Sequence, residues 1–451
     1  MVDGDPASDI ALPWQLTRSA YVVNMLDGFW QAYLPDGKRL DPRLGHHSTW
    51  GMVKSMELFL SQGGVVGKAV AALCLATVDL TNNNQWMRQD SLRYYSEALR
   101  DMTIALSQPR RDCGMGLVSA IRIFSIYEVR TPHRPNQLAL DWRLLIRTKS
   151  YFVAVNPEPS SKQSLGWMTH ITGEISLFRT NDPSYYATGA AHRLFVDDRL
   201  YMISVALHER KPSFLRDEAW KTLPWSVVPK TPRDLILDIL VEVPTAFEAA
   251  DTYQTMASRE PITAEVRRRE LVQFCLGLHL QLARWHADHL AVVHWASQVT
   301  PLWDMDTPTP APSQPHIAML HVMTLYWGTS SLIHSILRAT LKDDEPRPCN
   351  MSPEVSCSKI IVALSNLLHP NIGLFRIHLV TIPLSIVMLQ LQDSSLQLNA
   401  LCHERRLLAR CLAHPGCSSI SKFLSKLAHL FHFNVRLQTT DLWASEVPPI
   451  S

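Results

Sequence analysis

Apolar residues recur at spacings of three and four along almost the whole of this chain, and no stretch sustains the two-residue alternation of a half-buried strand. The pattern is clear in "AYVVNMLDGFWQAYL" (20–34), "STWGMVKSMELFLSQ" (48–62), "VVGKAVAALCLATVDL" (65–80) and "RQDSLRYYSEALRDMTIALSQ" (88–108). It continues through 116–129, 142–155, 165–179 and 191–215, then through 232–259, 261–298, 316–341, 355–369, 375–392, 394–413 and 418–431. A chain patterned this way is restricted to an all-α fold, a large array of packed antiparallel helices with little or no sheet. Ser48 and Asp90 are placed as helix caps.

With 451 residues and an apolar share of 46%, the chain has material for an extensive core. Proline-rich polar segments at 304–315 and 341–353 cannot continue a helix, and neither flank has a composition of its own. They read as surface loops of one helical domain spanning 1–451. The formal net charge of +2 gives no basic field for nucleic acid or an anionic membrane, so no direct nucleic-acid binding is expected. "IHLVTIPLSIVMLQL" (377–391) contains a proline and is too short to span a bilayer, which makes it a buried core helix and predicts no membrane partner. Eight scattered cysteines, several inside apolar runs, match reduced packed thiols of an intracellular protein; nucleus and cytoplasm are not distinguished.

Few residues carry chemistry by spacing. "GGVVGKAV" (63–70) lacks the first glycine and the hydroxyl of a phosphate-binding loop. His286 and His289 share a helix face, but no third ligand accompanies them, so no metal and no cofactor is expected. "EVRRRE" (265–270) distributes its arginines around a helix and reads as solvated surface. More informative is Arg199, which falls on the apolar face of its helix with Phe195, Met202 and Ala206. A buried guanidinium needs hydrogen-bonded partners, so Arg199 either ties helices together or lines a ligand cavity. One turn apart, His170 and Glu174 share another face.

The order His170-x-x-Gly173-x-x-x-Leu177-x-Arg179, His192-Arg193-Leu194-Phe195-x-x-x-Arg199, Arg210-Lys211-Pro212-Ser213-Phe214-Leu215 and Trp220-x-x-x-Pro224-Trp225 resembles the fungal-specific transcription factor domain. That domain is the helical middle region of fungal binuclear zinc-cluster regulators. "SLRYYSEALRDMTIALS" resembles the helical pair that opens it. No six of the eight cysteines have the spacing of the family's zinc cluster, so zinc-dependent DNA reading does not carry over.

Two function classes are compatible with these residues. One is a transcription-regulator-like protein in fungal secondary metabolism, working through a DNA-binding regulator or a homodimer partner. The other is a repurposed helical domain acting as a cofactor-independent cyclase, isomerase or pericyclase of Diels-Alderase type on an apolar natural-product intermediate. Such a reaction needs a shaped apolar pocket and one or two hydrogen-bond donors. In that case His170, Glu174 and His192 are the catalytic candidates, and Arg199, Trp167 and Tyr201 line the binding pocket for an apolar small molecule.

Overall fold

The computed structural model describes residues 14–34, 59–60, 63–82, 84–107, 115–130, 166–300, 312–348, 352–392, 401–413 and 417. Among them the chain is all-α, with no strand. In order, the helices are α1 (Trp14–Tyr33), α2 (Gly64–Asn82), α3 (Gln85–Ser107), α4 (Met115–Arg130), α5 (Gly166–Phe178), α6 (Gly189–Glu209) and the short α7 (Glu218–Thr222). After these come α8 (Pro232–Leu240), α9 (Val243–Ala257), α10 (Pro261–Asp288), α11 (Leu290–Ser297), α12 (Gln314–Thr340), α13 (Pro353–Leu367), α14 (Arg376–Gln392) and α15 (Cys402–Ala413). Single-turn 3-10 segments at Pro183–Tyr186, Phe214–Arg216 and Leu223–Trp225 surround α7.

Two groups of helices meet at α6. In the first, α2 packs on α1, α3 and α4, and α4 packs on α5. In the second, α12 is the axis, packed by α8, α9, α10, α13 and α14. Helix α6 touches α4 and α5 on one side and α8 and α9 on the other. Both α6 and α12 are buried around most of their circumference, so neither has the solvent face of an amphipathic surface helix.

Helix boundaries obey local chemistry. The predicted run 232–259 is two helices, because Pro244 lacks the N–H that would continue α8 and instead opens α9. Thr231 and Asp234 form a reciprocal capping box ahead of α8. The end of α6 is set by Arg210 in a left-handed conformation, φ 53° and ψ 40°, with Pro212 beyond. Its side chain forks onto Asp251 of α9 at 2.7 and 2.6 Å. Asp90 lies inside α3 rather than capping it, since the helix starts at Gln85, and it accepts from Arg93. Ser48 and the predicted helices 142–155 and 418–431 are outside the described residues.

Two surface expectations change. Arg268 of "EVRRRE" is buried, donating to both oxygens of Glu345 at 2.7 and 2.6 Å, so the 341–348 segment is strapped onto α10. The apolar helix near the C-terminal end is longer than its sequence run implied, because the 3-10 turn Pro370–Phe375 feeds directly into α14. By length and composition alone Pro370–Leu391 is long and apolar enough to cross a membrane, and 61% of that window is buried inside the protein.

Gly373 brings the 370–375 turn against the end of α1. Its φ of 70° and ψ of −167° are essentially restricted to glycine, and an added Cβ would stand 2.8 Å from the Tyr33 carbonyl oxygen. Gly277, inside α10, has nothing within 4 Å of that position. Gly373→Ala is therefore expected to cost about 3 kcal/mol of unfolding free energy. Gly277→Ala should add about 0.5–1 kcal/mol. Urea denaturation of the two variants measures both signs, and equal effects would contradict this reading of the 373 turn.

Candidate functional site

Helix α6 carries Asp197, Asp198 and Arg199 in succession, all three buried. Arg199 points to α8. Its Nη2 donates to Asp238 Oδ1 at 2.5 Å, Nη1 donates to the Asp234 carbonyl at 3.5 Å, and the guanidinium lies 4.4 Å from the centre of the Trp225 ring. Lys230 also bonds Asp238 and approaches the same ring at 5.2 Å. This is the geometry of a tie between α6, α8 and the Leu223–Trp225 turn.

His192 lies on the same side. Its Nδ1 sits 2.9 Å from the Tyr186 carbonyl, so that nitrogen carries the proton and donates it, and the ring meets the edge of Trp225 at 6.2 Å. Tyr186 in turn donates to the Phe178 carbonyl at 3.0 Å and stacks on Phe195 at 5.3 Å. Phe195 lies 5.7 Å from both Trp220 and Trp225. His192, Phe195, Arg199, Trp220 and Trp225 thus form one knot of aromatic rings and one cation.

A different constellation occupies the side of α6 facing α4 and α5. Arg122 places Nε 3.2 Å from Asp198 Oδ1, and its guanidinium lies 3.3 Å from the centre of the Tyr201 ring. Burial works against the Arg122 charge, but Tyr201, Asp198 and Glu174 outweigh it and hold the guanidinium above its ordinary value. Glu174, on α5, is fully buried beside Asp198. Burial, the negative charge of Asp198 and a hydrogen bond to it push the Glu174 carboxyl well above the usual range. Asp198 is raised less, because Arg122 and Arg233 oppose the effect of its burial. Two adjacent carboxyls in this setting hold one proton between them, carried by Glu174.

From Tyr201 a hydrogen-bonded chain leads to α14 and α1. The Tyr201 hydroxyl is 2.7 Å from His378 Nδ1, and the Tyr33 hydroxyl is 2.7 Å from His378 Nε2. A neutral imidazole donates at one nitrogen and accepts at the other, so one tyrosine donates to the ring and the other accepts from it. Burial raises the Tyr201 phenol, with Arg122 opposing, so Tyr201 stays protonated. Exchangeable protons therefore connect α1, α14 and α6, ending where Tyr201 lies against Arg122 and the carboxyl pair.

The six residues singled out from sequence are split among three places. Glu174 and Tyr201 meet around Arg122; His192 and Arg199 lie across α6 around Trp225. Trp167 and His170 are on α5, with side chains outside the described residues. Sequence reasoning missed Arg122, Asp198, His378 and Tyr33. Arg122 carried the same signal as Arg199, a lone cation in the apolar run "SAIRIFSIY", whereas His378 and Tyr33 meet Tyr201 only through the tertiary fold.

Among the described residues no group of three or more His, Cys, Asp or Glu side chains is placed to hold a metal ion. His289 stacks on Trp285 at 4.5 Å and His286 approaches Tyr326 at 6.0 Å. The chain matches no protein-family model, and no curated protein or solved structure matches it.

The raised Glu174 pKa fixes the sign of a pH effect. The folded state keeps this proton above the ordinary value of 4.5 at which the unfolded chain loses it, so the contribution is full below 4.5 and is lost as pH rises through the folded pKa. His321 and His334, pushed down to about 3 and about 4 by burial, act in the opposite sense, since their contribution is lost as pH falls below 6.5. They are common to wild type and Glu174→Gln. The unfolding free energy of Glu174→Gln minus that of wild type should therefore rise with pH above 4.5. Denaturant titrations across the pH range measure it, and a difference independent of pH would contradict a protonated Glu174.

Proposed function

We propose that this chain is a helical regulatory domain of the type found in the middle of fungal zinc-cluster transcription regulators. It would act in a fungal biosynthetic setting through a DNA-binding regulator or a second copy of itself. The observation that carries this reading is the knot around Trp225. His192, Phe195 and Arg199 from one segment of the resemblance motif interlock in space with Trp220 and Trp225 from another, and Arg199 ties α6 to α8 through Asp238. Residues that carry a resemblance and also build the framework are what a shared fold requires. DNA contact is assigned to the partner, since the cysteines here lack cluster spacing and five of them, Cys74, Cys275, Cys357, Cys411 and Cys417, are free and buried. Their burial also fits a reducing intracellular setting.

A second reading rests on the opposite side of α6. The protonated Glu174 beside Asp198, with Arg122 and the Tyr201–His378–Tyr33 chain, is an arrangement that can give and retake a proton without a cofactor. That chemistry suits a cofactor-independent cyclase, isomerase or pericyclase on an apolar intermediate, with Glu174 as acid and Arg122 stabilising developing negative charge. His192 is less suited to the reaction, because its Nδ1–H is committed to the Tyr186 carbonyl.

Deleting the gene separates the two. A regulator predicts that transcripts of a set of biosynthetic genes fall, and that Arg199→Met, which cuts the knot, reproduces the loss. An enzyme predicts unchanged transcripts with one accumulating intermediate, which the purified protein converts and Glu174→Gln does not. Unchanged transcripts in the deletion strain would overturn the regulator reading.

A further inference from the structure

Helix α10 buries one side and leaves the other to solvent. Leu271, Cys275, Leu278 and Leu282 are buried, and α8, α9 and α12 pack on this helix. At about 100° per residue the outer side is centred on Gly277, with Val266, Glu270, Gln273, Gln281 and Arg284 within about 40° of it. All five are exposed. Leu280, 67% exposed, and the half-buried Phe274 flank Gly277 at about 60° on either side.

Glycine in a helix interior is destabilising, and a Cβ at 277 would meet nothing within 4 Å. Packing inside the domain therefore does not call for a glycine there. A bare backbone on an outer face does allow the axis of a second helix to approach closely.

Charge on this face is self-complementary about the same point. Glu270 and Arg284 stand seven residues to either side of Gly277, about 10 Å along the axis. A second α10 running antiparallel, related by a two-fold axis at Gly277, sets Glu270 of each copy opposite Arg284 of the other. Leu280 and Phe274 of the two copies interleave between these pairs. Within the chain Glu270 accepts from the exposed Arg267 at 2.9 Å, a surface pair that is exchanged at little cost. A uniformly acidic or basic partner would match one end of the face and be repelled at the other; a reversed copy matches both.

We propose that the outer face of α10 is a homodimer surface, crossed antiparallel at Gly277 and closed at each end by a Glu270–Arg284 pair. From Val266 to Arg284 it is about 27 Å long, which places the buried area below about 1,200 Å² and makes the dimer concentration-dependent. The inference deepens the regulatory reading by naming its partner as a second copy, and rests on that reading for the dimer's role.

The test is sedimentation velocity of the full chain at low salt, between about 1 and about 300 μM, the span over which a small interface assembles. The mass is expected to climb from one chain toward two. Gly277→Leu, at an open position, should fold and stay a single chain throughout. Glu270→Arg and Arg284→Glu each turn two attractions into repulsions and should weaken association about tenfold or more, and combining them should restore it. A wild type that stays monomeric overturns the surface, as does a dimer that Gly277→Leu leaves intact or that the paired charge reversal fails to rescue. Sedimentation reads the purified protein and the transcript experiment reads the cell. A monomer whose gene deletion still lowers transcripts overturns the dimer alone, and a dimer with unchanged transcripts overturns the regulator alone.

Discussion

Successive residues on a helix point about 100° apart. Asp197, Asp198 and Arg199 are consecutive and each at most 5% exposed, so α6 cannot hide its charges against one neighbour. It requires ionised or proton-sharing partners from several directions at once, and they come from α4 (Arg122), α5 (Glu174) and α8 (Arg233, Asp238). This constraint fixes how the two groups of helices sit around α6. Apolar packing alone would tolerate rotation or sliding of α6; a set of buried charges whose partners sit at fixed points on several helices does not. Buried ion pairs seldom outdo a well-packed apolar substitute in net stability, but an unpaired buried charge is severely penalised, so the set acts mainly on registry.

The same constraint divides the chemistry. On the α8 side, Arg199 and Lys230 both engage Asp238 and Trp225, a fixed framework. On the α4 and α5 side, Glu174 and Asp198 lie buried beside Arg122, and burial with the neighbouring Asp198 keeps Glu174 protonated. That side also carries a hydrogen-bonded path through Tyr201 and His378. A single helix therefore presents a rigid face and a titratable face, and the two functional readings correspond to these two faces.

The fold was legible because helical periodicity is a local signal. Nearly every predicted helix among the described residues appears, and the errors are of a physical kind, as where Pro244 and His289 break runs that periodicity alone joins. The oddity of Arg199 was legible for the same reason, being a cation on an apolar stripe. The site was only half legible. Glu174 and Tyr201 were named, but their grouping with His192 and Arg199 assumed that α6 buries one face, whereas α6 is buried around most of its circumference and splits them. His378 reaches Tyr201 across 177 positions of sequence, and no spacing rule reports a contact of that range.

The central claim is that α6 is held by pairwise compensation of buried charge, and a double-mutant cycle on Arg199→Met and Asp238→Asn tests it most directly. Arg199→Met leaves Asp238 to Lys230, Asp238→Asn strands the buried Arg199 guanidinium, and the double variant removes that guanidinium together with its acid. Charge compensation predicts that the double variant is more stable than the sum of the single losses implies, by about 2–3 kcal/mol at neutral pH. Losses that add to within about 0.5 kcal/mol would mean that the two side chains merely lie near each other, and that packing without charge compensation positions α6.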